Sequence, residues 1–306
     1  MTTDLIPALK EALDYTRAYR DATFVVKIGG EVMADARVIH ALAVQVALLE
    51  SLSIRVVLVH GGGPQATALA GRLGVGTEMV AGRRVTTPEA LEVVKMAYAG
   101  TLNTDLVAAL RAHGVRAVGL SGVDAGLVEV RRRPPVRVTG DDGQERTVDF
   151  GEVGDVVSVD RRLLDRLLPD GYVPVVASLA CDAAGSVLNV NADTLASVLA
   201  VGVAAEKLLF LTSAPGLLRE LADPTSVVAF AEAADVRQLL EQGAVKGGMR
   251  PKVEACLRAV EGGVRRTHII DGRAADALLV EVFTGHGSGT MIVGAREADA
   301  YRERAL

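Results

Sequence analysis

The apolar run Val56-Val57-Leu58-Val59 empties into His60-Gly61-Gly62-Gly63-Pro64. The run predicts a strand, and three glycines in succession let backbone N–H groups approach an anion with no side chain in the way. Gln65 to Leu73 has helical character, so the turn also lies at a helix N-terminus, where the macrodipole and unpaired N–H groups favour negative charge. A glycine cluster alone also serves ordinary tight turns. A second element of the same kind favours the anion reading over that one. Phe24-Val25-Val26-Lys27-Ile28-Gly29-Gly30 is another short apolar strand ending in glycines, with a lysine planted near its carboxyl end. A buried lysine is costly unless it meets an anion. In open α/β sheets ligands gather at the carboxyl ends of the strands, so Lys27 and both turns are expected to converge on one polyphosphate.

Composition narrows the classes. The 306 residues are 50% hydrophobic, enough for one large domain or two lobes, and with 3% aromatics and no tryptophan the core must be aliphatic. A net charge of -5 leaves no basic footprint for nucleic acid. No stretch approaches the ~18–20 uninterrupted apolar residues of a membrane span, and no basic-then-apolar leader opens the chain, so a cytoplasmic protein is expected. Cys181 and Cys256 stand far apart with no metal-ligand spacing, which argues against a disulfide framework and leaves no resident metal site.

Strand-like runs at Ala117–Leu120, Val173–Leu179, Leu208–Thr212 and Thr267–Ile270 alternate with Ala- and Leu-rich helical segments, the pattern of a mainly parallel sheet. Between Leu127 and Val157, Arg131-Arg132-Arg133-Pro134-Pro135 and Gly140-Asp141-Asp142-Gly143 punctuate short β-like pieces, read as hairpins projecting from the sheet with the arginines on a solvated face. A separate helix precedes the first strand, with Thr3 or Asp4 as N-cap and Leu5, Ile6, Leu9 and Leu13 on one side.

Two further clusters carry chemistry. Asn189-Val190-Asn191-Ala192-Asp193 places two amides and a carboxylate at a helix start. Gly247-Gly248-Met249-Arg250-Pro251-Lys252 places Pro251 at the first helical position and a lysine in the first turn, against the dipole, which implies an anionic partner. Two lysines, two glycine turns and one organising aspartate describe a phosphoryl-transfer site, with ATP and Mg²⁺ as donor. GxxxxGK[ST] is absent, and so is GxGxxG with its following acid, which disfavours P-loop enzymes and dinucleotide dehydrogenases.

These segments, with Gly82-Arg83-Arg84-Val85-Thr86, Gly119-Leu120-Ser121-Gly122 and His268-Ile269-Ile270-Asp271-Gly272-Arg273, resemble the amino acid kinase superfamily, and within it the arginine-sensitive acetylglutamate kinases. The resemblance implies an open αβα sandwich with a central mainly parallel sheet. It further implies an N-terminal oligomerisation helix (1–22), an amino-acid-substrate and dimerisation lobe (23–203) and an ATP-binding lobe (204–306). Lys27 and Lys252 would neutralise the transferring phosphoryl group, Asp193 would hold both lysines, and Gly30, Gly62 and Gly63 would donate N–H groups to phosphoryl oxygens. Arg84 would clamp the α-carboxylate of N-acetyl-L-glutamate and Asn189 would bind near its α-substituent. The γ-carboxylate would attack ATP without a general base, and His60 and His113 are taken as structural. By the same resemblance L-arginine would inhibit a hexameric homo-oligomer built from dimers, at a site formed by Tyr19, His268, Glu281 and Gly287. Ser213 departs from the aspartate usual in the family, which bears on the nucleotide side, and Ser121–Ala125 departs in a turn. The rival readings are a kinase for carrier-protein-bound α-aminoadipate or glutamate, and a catalytically silent arginine sensor.

Overall fold

The computed structural model describes residues 5–80, 83–139, 145–220 and 222–304. The expected cap at Thr3 or Asp4, Gly82 and the turn Gly140, Asp141, Asp142, Gly143 lie outside the described residues.

Eight strands form the central sheet: β1 (Thr23–Ile28), β2 (Arg55–His60), β3 (Ala117–Ser121), β4 (Val173–Ala177), β5 (Lys207–Thr212), β6 (Phe230–Glu232), β7 (Arg266–Asp271) and β8 (Gly289–Val293). Their spatial order is β6-β8-β7-β5-β1-β2-β4-β3. The six from β7 to β3 are mutually parallel; β8 runs antiparallel to β7, and β6 pairs parallel with β8. The α/β expectation therefore holds, with two further strands that the apolar runs did not reveal: β6 at the edge of the sheet, and β8 between it and β7. An edge strand such as β6 buries less and needs no continuous apolar run.

Alternation along each strand assigns the two layers. Phe24, Val26, Ile28, Val56 and Leu58 pack with the helices Ala36–Ser51, Asn103–Ala112 and Ala277–Phe283. Val25, Val57, Val59, Leu208 and Phe210 face Ala192–Gly202 and Met249–Glu261. Helices on both faces make the αβα sandwich, and each fully buried aliphatic side chain contributes about 1.5–3 kcal/mol. Lys27 falls on the Val25 face, beside those last two helices.

Register then brings the glycine turns together. Lys27 pairs with Val59 and Ile28 with His60 across β1 and β2, while Ile28 pairs with Leu211 of β5. Three neighbouring parallel strands thus release their turns at one edge.

Val173–Leu179 is not one strand: it breaks at Ser178, and Leu179–Cys181 joins a second sheet with Val187–Asn189, Val128–Arg132 and Gly154–Val159. Two strands of the expected hairpin region belong to this sheet, and only Val136–Thr139 with Glu145–Val148 forms a separate hairpin. The N-terminal helix spans Leu5–Tyr19. Ile6 is 54% and Leu13 45% exposed, whereas Tyr19 is buried against Phe24, ring centroids 5.3 Å apart.

Candidate active site

Gly62 caps the helix Gly63–Leu73, with Pro64 in its first turn where no intrahelical N–H is needed. The Gly30 backbone lies close by: a Cβ there would stand 2.8 Å from Pro64 Cδ and 3.5 Å from the Gly63 nitrogen. The two glycine turns are therefore in contact, and a side chain on Gly30 would part them. Gln65 Nε2 donates to the Gly30 carbonyl at 2.7 Å, a tie the sequence reading missed.

Asp193 lies in the first turn of Ala192–Gly202, whose N-cap is Asn191, accepting from the Thr194 N–H at 2.9 Å. Its Oδ1 is 2.7 Å from Lys27 Nζ and its Oδ2 is 3.4 Å from Lys252 Nζ, with all three side chains largely buried. Burial pushes the Asp193 carboxyl up, but the Lys27 and Lys252 ammonium groups outweigh it and hold it below its ordinary value. Burial is the larger influence on Lys27, whose ammonium is shifted down despite the Asp193 charge. Met249–Glu261 begins at Met249 with Gly248 as cap, so Pro251 is its third residue rather than its first; that position still lies among the free N–H groups of the first turn. Lys252 Nζ also donates to the Gly248 carbonyl at 3.3 Å.

The glycines of both turns, Lys27, Asp193 and Lys252 line one cleft of about 1220 Å³. Arg84 reaches it from the short hairpin strand Arg83–Val85 and is tethered by donating to the Gly63 carbonyl at 3.0 Å and to Thr67 Oγ1 at 2.5 Å. Asn189 Nδ2 donates to Thr86 Oγ1 at 3.2 Å. Thus Lys27, Asp193, Lys252, Gly30, Gly62, Gly63, Arg84 and Asn189 share one cavity, larger than the ~300–1,000 Å³ of a single small-molecule pocket. Lys27, Lys252 and Arg84 bring cations to it beside the glycine backbone, and Asp193 is tied up by the two lysines, an arrangement suited to anions.

Arg133 departs from the solvated face expected of it: it is half-buried, lines the cleft and donates to Asp155 Oδ1 at 2.6 Å and 2.9 Å. Arg131 and Arg132 are exposed as expected. The Ser213 hydroxyl donates to Glu31 Oε2, so the carboxylate at this rim of the cleft comes from the first glycine turn. Nothing in the spacing of Glu31 and Ser213, 182 residues apart, signals that contact.

A smaller pocket of about 330 Å³ lies under the N-terminal helix and gathers Tyr19, His268, Glu281 and Gly287. His268 Nδ1 is 2.6 Å from Glu281 Oε1, and Glu281 also accepts from the Ser288 hydroxyl and N–H. Burial pushes Glu281 up, but the His268 hydrogen bond, the Ser288 amide and Lys207 bring it down to about 2. Burial and Lys207 hold His268 at about 4, so the neutral ring donates from Nδ1. Its buried Nε2 has no hydrogen-bond partner among the described residues. Arg266 donates to the Tyr19 hydroxyl at 2.9 Å, and Lys207 lies 5.0 Å from the Tyr19 ring centre. Lys207 and Arg266 were not foreseen, because each sits within an otherwise unremarkable apolar or mixed run.

Among the described residues no group of three or more His, Cys, Asp or Glu side chains could hold a metal ion, and no helix is long and apolar enough to cross a membrane.

Comparison with known proteins agrees with this geometry. Residues 22–271 match the model of the amino acid kinase family. An acetylglutamate kinase of Myxococcus xanthus is 49% identical over 294 residues, 96% of each chain. Among solved structures, the N-acetylglutamate synthase of Neisseria gonorrhoeae complexed with coenzyme A and N-acetyl-glutamate superposes with a TM-score of 0.79 at 28% identity, over 94% of this chain and 63% of the synthase. The same synthase complexed with coenzyme A and L-arginine gives a TM-score of 0.77 at 27% identity, over 94% of this chain and 65% of the other. The chain spans a little under two thirds of the synthase, and nearly all of the kinase. A parallel sheet with two touching glycine turns and a matched stretch of this length place the chain in the amino acid kinase family.

Proposed function

We propose that the protein is an acetylglutamate kinase, transferring the γ-phosphoryl group of ATP to the γ-carboxylate of N-acetyl-L-glutamate in arginine biosynthesis. The observation that carries this reading is Asp193 held between Lys27 and Lys252 at 2.7 and 3.4 Å, in the same cleft as two touching glycine turns and Arg84. The carboxylate is already ionised at neutral pH and attacks the γ-phosphorus directly; an O–P bond forms, the bridge to the β-phosphate breaks, and ADP leaves with the electron pair. Charge on the phosphoryl group and on the leaving β-phosphate is neutralised by Lys27 and Lys252, which Asp193 keeps apart and aimed. Gly30, Gly62 and Gly63 supply N–H donors to the phosphoryl oxygens. Arg84 and Asn189 hold the α-carboxylate and its substituent. Mg²⁺ bound to the nucleotide would screen its phosphates. Residues 23–203 form the substrate and dimerisation lobe and 204–306 the ATP lobe, in a cytoplasmic enzyme.

The smaller pocket favours a second element of the reading, feedback inhibition by L-arginine. An ionised Glu281 suits a guanidinium, the unpartnered His268 Nε2 is an acceptor, and the Neisseria synthase was solved with L-arginine. The exposed Ile6 and Leu13 of the N-terminal helix supply an apolar surface for joining dimers into a hexamer.

ADP release with hydroxylamine trapping tests the activity. Hydroxamate formed with N-acetyl-L-glutamate, and not with glutamate or α-aminoadipate, is the expected result; no turnover with any of them overturns it and favours a carrier-bound substrate or a silent sensor. Removal of residues 1–20 is expected to abolish both the hexamer and the arginine effect, and a truncated enzyme that stayed hexameric and inhibited would refute that assignment.

A further inference from the structure

His60 closes β2 and immediately precedes the glycine turn, yet it has no part in the chemistry above. It is fully buried. Its Nδ1 lies 2.9 Å from the Gly61 carbonyl oxygen and its Nε2 lies 3.0 Å from Asn103 Nδ2. The same Asn103 nitrogen faces two backbone carbonyls, Val175 at 2.9 Å and Leu120 at 3.4 Å. Carbonyl oxygens only accept, so this atom is the amide NH₂ and His60 Nε2 must accept from it. The ring proton is therefore on Nδ1, which donates to Gly61. Burial, which holds this imidazole at about 4, agrees with a ring that stays neutral.

The Gly61 carbonyl and the Gly62 N–H are opposite ends of one planar peptide. Holding the oxygen against His60 turns the Gly62 N–H the other way, and Gly62 lines the cleft. The element that carries Asn103 is itself unusual. Met96–Leu102 is a π-helical segment directly before it, and such segments are frequent at functional sites. It presses Leu102 and Tyr98 on the turn: a Cβ at Gly62 would lie 2.2 Å from Leu102 Cδ1 and 3.0 Å from Tyr98 Cε1. On the sheet side, Gly119 leaves room for the amide, since a Cβ there would lie 2.2 Å from Asn103 Oδ1.

We propose that His60 and Asn103 are positioning residues for phosphoryl transfer: Asn103 selects the Nδ1–H tautomer of His60, and His60 fixes the Gly61–Gly62 peptide so that the Gly62 N–H is aimed at the phosphoryl oxygen. This rests on the reading of the Gly62 and Gly63 amides as phosphoryl donors.

The test compares His60→Asn, whose amide nitrogen replaces Nδ1, with His60→Gln, whose amide replaces Nε2 and leaves Gly61 without a donor. For the Gln variant kcat is expected to fall about 10²-fold, because small misplacements of a catalytic group cost that much, with KM for N-acetyl-L-glutamate little changed. The Asn variant should recover most of that loss. Equal kcat in the two variants, or a fall in folded fraction that accounts for both, overturns the proposal. Calorimetric titration with a non-hydrolysable ATP analogue and with ADP tests the turn whatever the acceptor is. The Gln variant should lose about tenfold in affinity for the analogue and little for ADP, one hydrogen bond to a charged group being of that size; equal losses for both also overturn it. If the wild type fails to phosphorylate N-acetyl-L-glutamate but this difference persists, the acceptor assignment fails and the positioning role stands. Nitrogen-15 spectra should show His60 as the Nδ1–H tautomer, lost in Asn103→Leu; an Nε2–H ring in the wild type refutes the mechanism.

Discussion

Gln65 Nε2 donates to the Gly30 carbonyl at 2.7 Å, so one side chain from the helix after β2 holds the turn after β1. The Pro64 ring and the Gly63 nitrogen also lie close to the Gly30 backbone, 2.8 and 3.5 Å from where a Cβ would stand. Gln65→Leu should therefore cost about 1 kcal/mol in stability, the usual net worth of a hydrogen bond, but roughly tenfold or more in kcat, because the two sets of N–H donors lose their common register. Urea unfolding and steady-state kinetics on one preparation check this; a loss of stability with unchanged kcat would show that the tie is only structural.

Asp193→Asn leaves Lys27 buried without a counter-charge. Breaking a buried pair in this way costs about 3–5 kcal/mol. Lys27 is already shifted down by burial, and the Asp193 charge is what opposes that shift. Its removal shifts Lys27 further down, so the alkaline limb of the pH–rate profile should move to lower pH in the variant. A profile superimposable on that of the wild type would remove Lys27 from the charge-neutralising role.

Gly62→Ala should inactivate for two reasons: the new methyl group would stand 2.2 Å from Leu102 Cδ1 and 3.0 Å from Tyr98 Cε1, and the Gly62 φ of +156° is one that a side chain rarely adopts. Leu102→Ala, which by itself leaves a cavity worth about 2–5 kcal/mol, should therefore restore little of the kcat lost in Gly62→Ala. A double variant restored to near the rate of Leu102→Ala alone would mean that the Leu102 contact, not the backbone conformation of Gly62, requires glycine.

The smaller pocket gives a signed pH dependence. His268 sits at about 4 against an ordinary 6.5, so the folded chain binds fewer protons than the unfolded one between those values, and stability falls as the pH drops from 6.5 towards 4. Glu281 sits at about 2 against 4.5, so its contribution is full above 4.5 and is lost as the pH drops towards 2. Denaturant midpoints from pH 7 to 4.5 should decline in the wild type and flatten in His268→Gln, where the upper of the two windows is gone. Equal slopes would mean that His268 titrates normally.

Much of the site is legible before folding because its parts are local. Lys27 with Gly30, His60 with Gly63, and Asn189 with Asp193 are short runs in which strand, turn and helix start follow one another. The apolar periodicity of β1, β2 and β5 is enough to indicate a parallel sheet, and a turn at the carboxyl end of such a strand has only one edge to face. The strands β6 and β8 were not legible, because β6 has only three residues, β8 opens on Gly289-Thr290, and their pairing with each other and β7 spans distant sequence.

What the sequence alone determined is the chemistry available: two lysines, one aspartate, glycines where N–H groups must be bare, and an arginine for a carboxylate. What only the tertiary structure decided is which of these touch, and which further groups hold them. Gln65 on Gly30, Asn103 on His60, Glu31 on Ser213 and Arg133 on Asp155 join residues 22 to 182 positions apart. Spacing carries no signal for such pairs, since their meeting depends on strand order and register, and those follow from how two apolar faces of one sheet are covered by helices.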